Sequence, residues 1–193
     1  TKQQSSQYTE ILRAELTRAG INNLDMTDLQ DALKEPLGQL FSLYLKALVC
    51  PEPKIMTELF KINLVLNKVE ASDDKEEALT TSLATFISQR QALVTTTTTL
   101  NELLSHIQSF IHELGIQKIK GRWKQYKSPD YYNLVWQTLV LHLRSVRDRA
   151  SSLEDAAKLF SAENAVHLMN VHKCKGLEYD SVYFMGLEDQ AFW

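Results

Sequence analysis

Apolar residues recur at helical spacing over most of the chain before Ala165. The clearest stripe, which would share one face of a helix, consists of Leu37, Leu40, Phe41, Tyr44, Leu45 and Leu48. Pro36 suits the first turn of that helix, since an N–H at this position has no acceptor within the helix. Glu35 is biased towards extended backbone by the proline after it. The pattern predicts a buried helix that starts at Pro36 and ends at the segment Cys50-Pro51-Glu52-Pro53.

The same spacing predicts helices on both sides of this one. Their apolar positions run from Tyr8 to Ala19, Ile55 to Leu66, Leu79 to Ile87, Leu100 to Leu114 and Leu134 to Val146. Gly20 and Gly115 are placed to stop two of these helices, because glycine readily takes the backbone conformation that ends a helix. The chain up to Ser161 is therefore predicted to be almost entirely helical.

Short polar residues at the expected helix starts are suited to capping the first backbone N–H groups. The candidate caps are Thr27 with Gln30, Asp73 with Glu76, Ser128 before Pro129, and Ser151 with Glu154. The threonine run 95–99 is interpreted as a connector whose last residue caps the next helix. These caps divide the helical region into several short to medium helices.

The pattern changes at Ala165. Residues 166–171 and 181–185 are rich in β-branched and aromatic side chains and predict two strands, with a connection that contains lysine and glycine between them. Two such strands are not stable alone, so we expect them to belong to a larger sheet. The expected fold class is mainly α with a small α/β part, and Tyr183 and Phe184 are expected to lie in its core.

Composition favours a folded domain: the 193 residues are 44% hydrophobic and 23% charged, with a net charge of −3. No apolar run reaches the length of a membrane helix, and the N-terminus does not resemble a signal peptide. Cys50 and Cys174 lie far apart without metal-ligand spacing, so we expect a reducing compartment, the bacterial cytosol in particular. The first residue is not methionine and the last follows a predicted strand, so we expect a fragment of a longer protein.

The connection between the two predicted strands carries the candidate chemistry. Lys175 supplies a mobile positive charge, His172 a ring donor, and Gly176 a close backbone approach to a phosphate. Glu178 cannot hold a phosphate, but it can accept hydrogen bonds from sugar hydroxyls. By composition alone, a polar turn between two core strands is the more common explanation.

A contiguous match gives this segment a sharper interpretation. Residues 168–179, followed by 182–185 and Gly186-Leu187-Glu188, resemble motif V of UvrD/Rep-like superfamily-one DNA helicases. The chain has Asn170 where the family has threonine, Cys174 where it has serine or alanine, and Tyr179 where it has phenylalanine. The resemblance implies that Asn170, His172 and Lys175 bind single-stranded DNA. It also implies that Gly176 and Glu178 bind the nucleotide, with Glu178 near its ribose.

The resemblance also implies how the chain is organised. Residues 1–26, which are similar to the helix after motif IV, and residues 162–193 would be incomplete pieces of the second RecA-like P-loop NTPase domain. Residues 27–161 would be a helical insertion subdomain. Gln4 aligns with the motif IV arginine that reaches ATP in relatives, so that arginine either lies before Thr1 or has been replaced. The implied parent is an ATP-dependent helicase or translocase, of the kind used in DNA repair, and the implied partners are single-stranded DNA, ATP and the remainder of the motor, with no membrane.

The sequence contains no GxxxxGK[ST] segment, and no candidate for the acidic or late arginine motif. We therefore expect ATP and Mg²⁺ to be used by the intact parent and not by this chain alone, and no residue here is assigned as catalytic or as a metal ligand. Two alternatives stay open. The chain could be a non-catalytic helical interaction module of helicase ancestry, which the residues Gln4 and Asn170 favour, or part of a helicase–nuclease.

A second segment combines basic and aromatic residues. Lys120, Arg122 and Lys124, flanked by Lys118 and Lys127, are interleaved with Trp123, Tyr126, Tyr131 and Tyr132. Such a pattern can follow a phosphate backbone and stack bases, which makes the first three residues DNA-binding candidates. The alternative is a polar loop whose aromatic rings pack inward. The remaining histidines on predicted helices, His106, His112 and His142, lack ligand spacing and are interpreted as structural or surface residues.

Overall fold

The computed structural model describes residues 2–26, 29–69, 74–163, 165–172 and 174–185, with backbone alone for residues 2–7, 29 and 30. Its elements are α1 (Lys2–Arg18), β1 (Asn23–Asp25), α2 (Leu29–Lys34), α3 (Pro36–Val49), α4 (Pro53–Asn67), α5 (Asp74–Gln91), α6 (Leu100–Leu114), α7 (Ile116–Arg122), a 3-10 helix (Lys124–Lys127), α8 (Pro129–Arg147), α9 (Leu153–Phe160) and β2 (Val166–Leu168). The predicted fold class, mainly α with a small α/β part, is confirmed.

Helix α3 is the centre of the core. It begins at Pro36 after an extended Glu35, as the proline predicts. Its apolar stripe is buried from Leu37 to Leu48. Tyr44 stacks on Phe110 of α6 with ring centroids 4.0 Å apart. The stacked rings connect α3 to α6, and a buried aromatic pair stabilises the fold by more than its buried area alone would predict.

Phe41 extends the core to the last helix. Its ring stacks on Phe160 of α9, with centroids 4.9 Å apart, and tilts against Trp136 of α8 at 5.6 Å. The cluster of buried side chains continues without a break to Leu24 and Met26 beside the first strand. The helical region and the strands therefore share one hydrophobic core.

Several predicted caps are observed. Thr99 and Glu102 form a capping box at α6, and the Ser128 side chain accepts a hydrogen bond from the Tyr131 N–H at the start of α8. The prediction for α9 was wrong by one residue. Ser152 is the cap and accepts from the Asp155 N–H, while Asp155 accepts from the backbone and side chain of Ser151.

At an N-cap the serine side chain accepts from the N–H three positions on; the predicted and the observed pairs share this spacing, and the structure has Ser152 with Asp155. The two remaining candidate caps, at Thr27 with Gln30 and at Asp73 with Glu76, lie wholly or partly outside the described residues.

Strands β1 and β2 pair in parallel. Asn23 lies opposite Val166, Leu24 opposite His167 and Asp25 opposite Leu168. The backbone N–H of Val166 donates to Asn22, and that of Met26 donates to Leu168, each at 2.8 Å. All the helices from α2 to α9 thus lie between two neighbouring parallel strands in the chain, an arrangement that sequence periodicity did not reveal.

Helix α8 is fastened to β1 by Arg149, which follows the helix. Its guanidinium donates to the Asn23 carbonyl at 3.0 Å and to the Ser145 carbonyl at 3.1 Å. The Asn23 side chain is buried and its amide nitrogen donates to Thr17 of α1 at 3.1 Å. Asn23 and Arg149 therefore join α1, β1 and α8 at one point.

One strand prediction was too long and the other was wrong. The strand predicted at 166–171 ends at Leu168, and residues 181–185 are irregular. Tyr183 is 90% exposed and Phe184 is 58% exposed, although both were expected in the core. A strand needs a neighbour to accept its backbone hydrogen bonds, and in the described part of the chain nothing pairs with this segment.

Among the described helices, none combines the length and hydropathy of a membrane span.

His142 of α8 supports a prediction about pH. The residue is 8% exposed, and its Nε2 lies 3.0 Å from the Phe160 carbonyl oxygen, which fits a neutral ring that donates from Nε2. Burial lowers the pKa of His142 from its usual 6.5 to about 4, with a small opposing effect from the hydrogen bond to Phe160. The folded protein therefore resists a protonation that the unfolded chain accepts.

We expect the free energy of unfolding to fall by roughly 3 kcal/mol as the pH drops from 6.5 to about 4. Well above pH 6.5 the ring is neutral in both states and contributes no pH dependence. Urea denaturation at a series of pH values measures this loss. His142→Gln keeps an N–H donor for the Phe160 carbonyl and should remove this part of the pH dependence. An unchanged profile in that variant would contradict the assignment.

Candidate functional site

The loop that follows β2 lies at the carboxyl end of both parallel strands. Asp25 ends β1 opposite Leu168, which ends β2, and the chain then enters the loop at Met169. In open α/β sheets, ligands bind at this end of the strands because the loops there are free to present polar groups. The candidate loop therefore has a position suited to ligand binding.

A tight turn shapes the centre of this loop. The Leu177 N–H donates to the Cys174 carbonyl at 3.0 Å, and Gly176 has a φ of 79°. A positive φ at the third position is typical of a type II turn and favours glycine there. A Cβ at Gly176 would meet no atom within 4 Å, so the backbone angle and not crowding favours glycine. The Cys174 thiol donates to the Val171 carbonyl at 3.0 Å.

The predicted binding side chains lie on the surface of this loop. Asn170, His172, Lys175 and Glu178 are exposed, and so is the Gly176 backbone. The structure thus leaves these groups accessible to a ligand within one short segment. The contacts of this loop with DNA and nucleotide stay predictions. The Gly-Leu-Glu part of the motif, at 186–188, lies outside the described residues.

His167 holds the end of the loop and was not identified from the sequence as a site residue. Its Nδ1 lies 2.9 Å from the Tyr179 hydroxyl, and its Nε2 lies 2.9 Å from the Ala162 carbonyl. The carbonyl can only accept, so Nε2 carries the proton, and in the neutral ring Nδ1 accepts from Tyr179. The two rings also meet edge to face at 5.6 Å.

This bridge connects three parts of the chain. Ala162 lies just after α9, His167 is in β2, and Tyr179 closes the loop. The packing of the last helix is thereby connected to the position of the loop. A histidine in the middle of a short strand gives no sequence signal for such a role, because both partners come from other elements.

The segment Lys118–Lys127, which carries the basic and aromatic residues described above, lies on α7 and the 3-10 helix. Arg122 and Lys124 are exposed, and Lys120 is half-buried with its ammonium 5.2 Å from the centre of the Tyr132 ring. Tyr126 is completely buried, and Trp123 packs against the core. The alternative in which the aromatic rings pack inward is therefore confirmed for these two residues. Among the described helices and strands, α7 and the 3-10 helix contact α4, α6 and α8.

In the part of the chain that the structure describes, no three histidine, cysteine, aspartate or glutamate side chains lie close enough together to hold an ion. Cys50 and Cys174 are both free thiols. Burial and the nearby Glu154 carboxylate raise the pKa of the Cys50 thiol, which disfavours the thiolate form that reactive cysteines need.

Comparison with known proteins gives one result that covers nearly the whole chain. A family model described as the UvrD-like helicase C-terminal domain matches residues 2–192. The match includes both strands, all the helices and the loop after β2. No curated protein and no solved structure shows a significant match to the chain.

The His167 bridge predicts how the loop responds to substitution. Tyr179→Phe removes the hydrogen bond but keeps the ring contact, while His167→Ala removes both hydrogen bonds of the histidine. A net loss of about 1 kcal/mol per hydrogen bond should speed local opening roughly fivefold. Tryptic cleavage after Lys175, followed by mass spectrometry, measures this opening.

His112→Ala serves as the control, because His112 is exposed on α6 and its replacement should leave cleavage in the loop unchanged. His167→Ala should have the larger effect of the two loop variants. Equal cleavage rates in the original chain and both loop variants would show that the bridge does not hold the loop.

Proposed function

Because the chain belongs to the UvrD-like helicase C-terminal domain family, we propose that its loop 170–178 contacts single-stranded DNA and ATP in a helicase motor. The observation that carries this proposal is the parallel pairing of β1 with β2. It places an exposed loop with histidine, lysine and glycine at the carboxyl end of the strands, where α/β sheets bind ligands.

The DNA-facing groups are Asn170, His172 and Lys175. Lys175 is exposed beside the Gly176 turn and provides a positive charge for a backbone phosphate. Asn170 and His172 carry side-chain N–H groups that donate to phosphate oxygens. Three donors of this kind within six residues suit one short stretch of backbone, and contacts to phosphate position the strand without reading its bases.

The nucleotide-facing groups are Gly176 and Glu178. At Gly176 the backbone is open to solvent, with no atom near the place of a Cβ. The exposed Glu178 carboxylate can accept hydrogen bonds from the two ribose hydroxyls of ATP. Only one residue separates the two positions in the chain. A shift of Gly176 or Glu178 on nucleotide binding would therefore move the adjacent Lys175, which provides a short path for coupling the nucleotide contact to the DNA contact.

The phosphate chemistry of ATP requires groups that this sequence does not contain. Phosphoryl transfer needs a phosphate cradle, a Mg²⁺ site and an arginine clamp, and the sequence has no GxxxxGK[ST] segment. We propose that other domains of the motor supply these groups, with ATP and Mg²⁺ bound between them and this loop. A non-catalytic helical module is the second candidate, favoured by Gln4 at the place of the motif IV arginine.

The DNA contact can be tested on the chain itself. Lys175→Ala should weaken binding of a fluorescein-labelled oligothymidine. It should also reduce the magnitude of the negative slope of log K against log salt by roughly 0.7, the value for one phosphate contact of a single strand. Fluorescence anisotropy over a range of salt concentrations measures both. Lys54→Ala makes the same change of charge at an exposed position on α4 and should have little effect. Equal effects of the two variants would contradict a specific role of Lys175.

The nucleotide contact requires an assembled motor that contains this domain. There, Glu178→Ala should raise the KM for ATP, because the ribose loses its acceptor, and should leave DNA affinity unchanged in the absence of nucleotide. Steady-state ATPase assays with saturating single-stranded DNA measure the KM. Glu113→Ala, at an exposed position on α6, is the control. A KM unchanged by Glu178→Ala would remove the nucleotide role and favour the non-catalytic module.

A further inference from the structure

The segment Lys118–Lys127, here called the basic segment, concentrates positive charge in a chain whose net charge is −3. It contains Lys118, Lys120, Arg122, Lys124 and Lys127, and residues 114–129 include no aspartate or glutamate. Charge of one sign that is gathered on one segment creates a local potential even where the whole protein has the opposite sign. The segment is therefore a candidate surface for an anionic partner.

Two buried side chains fix the orientation of the basic segment. Ile119 on α7 and Tyr126 on the 3-10 helix are both completely buried. The Tyr126 hydroxyl accepts from the Leu37 N–H at 3.0 Å and donates to the Glu35 carboxylate at 2.8 Å. With the segment held at both of these points, the side chains that face away from the core have a defined position on the surface.

Three of the five cations are available to a partner. Arg122, Lys124 and Lys127 are exposed, and in the described part of the chain none of them forms an ion pair or a hydrogen bond through its side chain. Lys118 instead donates to the Asn67 side chain at 2.7 Å, and Lys120 lies over the Tyr132 ring. The structure thus separates the outward-facing charges from the two that support packing.

The Glu35 carboxylate lies against this part of the fold and is hydrogen-bonded to neutral groups. Glu35 accepts from the hydroxyls of Tyr126 and Tyr131, each at 2.8 Å, and from the Gln125 amide at 3.3 Å. These hydrogen bonds connect the 3-10 helix and the first turn of α8 to Glu35, the residue before α3. All three donors are neutral groups, and Glu35 forms no ion pair with Arg122, Lys124 or Lys127 in the described part of the chain.

The aromatic residues are already engaged in packing. Tyr126 is buried, and its ring stacks with Tyr131 at 6.2 Å and meets the edge of Tyr132 at 5.9 Å. Tyr132 has a lysine over its ring, and Trp123 packs against the core. Base stacking needs an open ring face, and the rings of Trp123, Tyr126 and Tyr132 are in contact with other side chains, whereas Tyr131 on α8 is 36% exposed. The segment is therefore suited to charge contacts and not to stacking.

We propose that Arg122, Lys124 and Lys127 bind the phosphate groups of a nucleic-acid backbone through charge alone, without stacking the bases. This contact is separate from the loop 170–178 and adds a second one to it. It follows from the exposed, unpaired cations and from the occupied aromatic rings. It differs from the interpretation of the sequence, which included Lys120 and allowed stacking, because the structure places Lys120 over a ring.

The test replaces all three cations in the complete chain, as Arg122→Gln, Lys124→Gln and Lys127→Gln together. Binding of labelled oligothymidine is measured by anisotropy over a range of salt concentrations. The slope of log K against log salt is negative, and its magnitude should decrease by roughly 2, since each single-strand phosphate contact contributes roughly −0.7. The same fall is expected with oligodeoxyadenosine and with an abasic sugar-phosphate chain, because no base is contacted.

A matched control makes the same change of charge elsewhere. Lys54→Gln, Lys75→Gln and Arg144→Gln replace two lysines and one arginine that are exposed on α4, α5 and α8. This variant should keep nearly the original slope, and circular dichroism should show that both triple variants remain helical. Since the slope is compared between two folded variants of equal charge, a general effect of net charge is separated from a local contact.

Several outcomes would overturn the proposal. These are an unchanged slope in the first triple variant, equal losses in both triple variants, a loss confined to oligonucleotides that carry bases, or no binding by the original chain at low salt. Binding of phosphatidylserine vesicles in place of the oligonucleotide would assign the surface to a membrane instead. Failure of Lys175→Ala to change binding would count against the loop alone, so the two proposals are tested separately.

Discussion

The parallel pairing of β1 with β2 is the constraint on which the rest of the structure depends. Each strand has three residues, and helices α2 to α9 lie between them in the chain. Closing so long a connection costs conformational entropy, and two short strands cannot offset that cost by themselves. The helices have to bring the strand ends together, which they do through a core that is continuous from Leu24 to Phe160.

Two hydrogen-bonded residues connect the last two helices to the paired strands and to the loop after β2. Arg149 joins the end of α8 to β1, and His167 joins the segment after α9 to Tyr179 at the end of the loop. Hydrogen bonds therefore connect the ends of these two helices to the strands and to the loop, and contiguous contacts of this kind are what carries coupling between distant parts of a protein.

Local patterns predicted the helices well because helical periodicity and capping depend on neighbours in the chain. The turn at Gly115 and the caps at Thr99 and Ser128 were predicted for this reason. Strand β1 gave no such signal, since Asn23-Leu24-Asp25 becomes a strand through pairing with a distant segment. The apolar residues 181–185 gave a strong strand signal and yet are irregular and exposed. The loop was found by its family motif, whereas His167 depends on tertiary partners that no local pattern contains.

Net charge is a poor guide to the partners of this chain. Acidic residues outnumber basic ones, and at physiological ionic strength charges on the surface are screened beyond about 8 Å. A phosphate near Arg122 or Lys127 is therefore influenced mainly by the side chains around it, and residues 114–129 contain no acidic side chain. Glu35, the carboxylate fastened to this region, is held by Tyr126 and Tyr131. Its anchoring role explains how an acidic protein can present a basic surface in a fixed position.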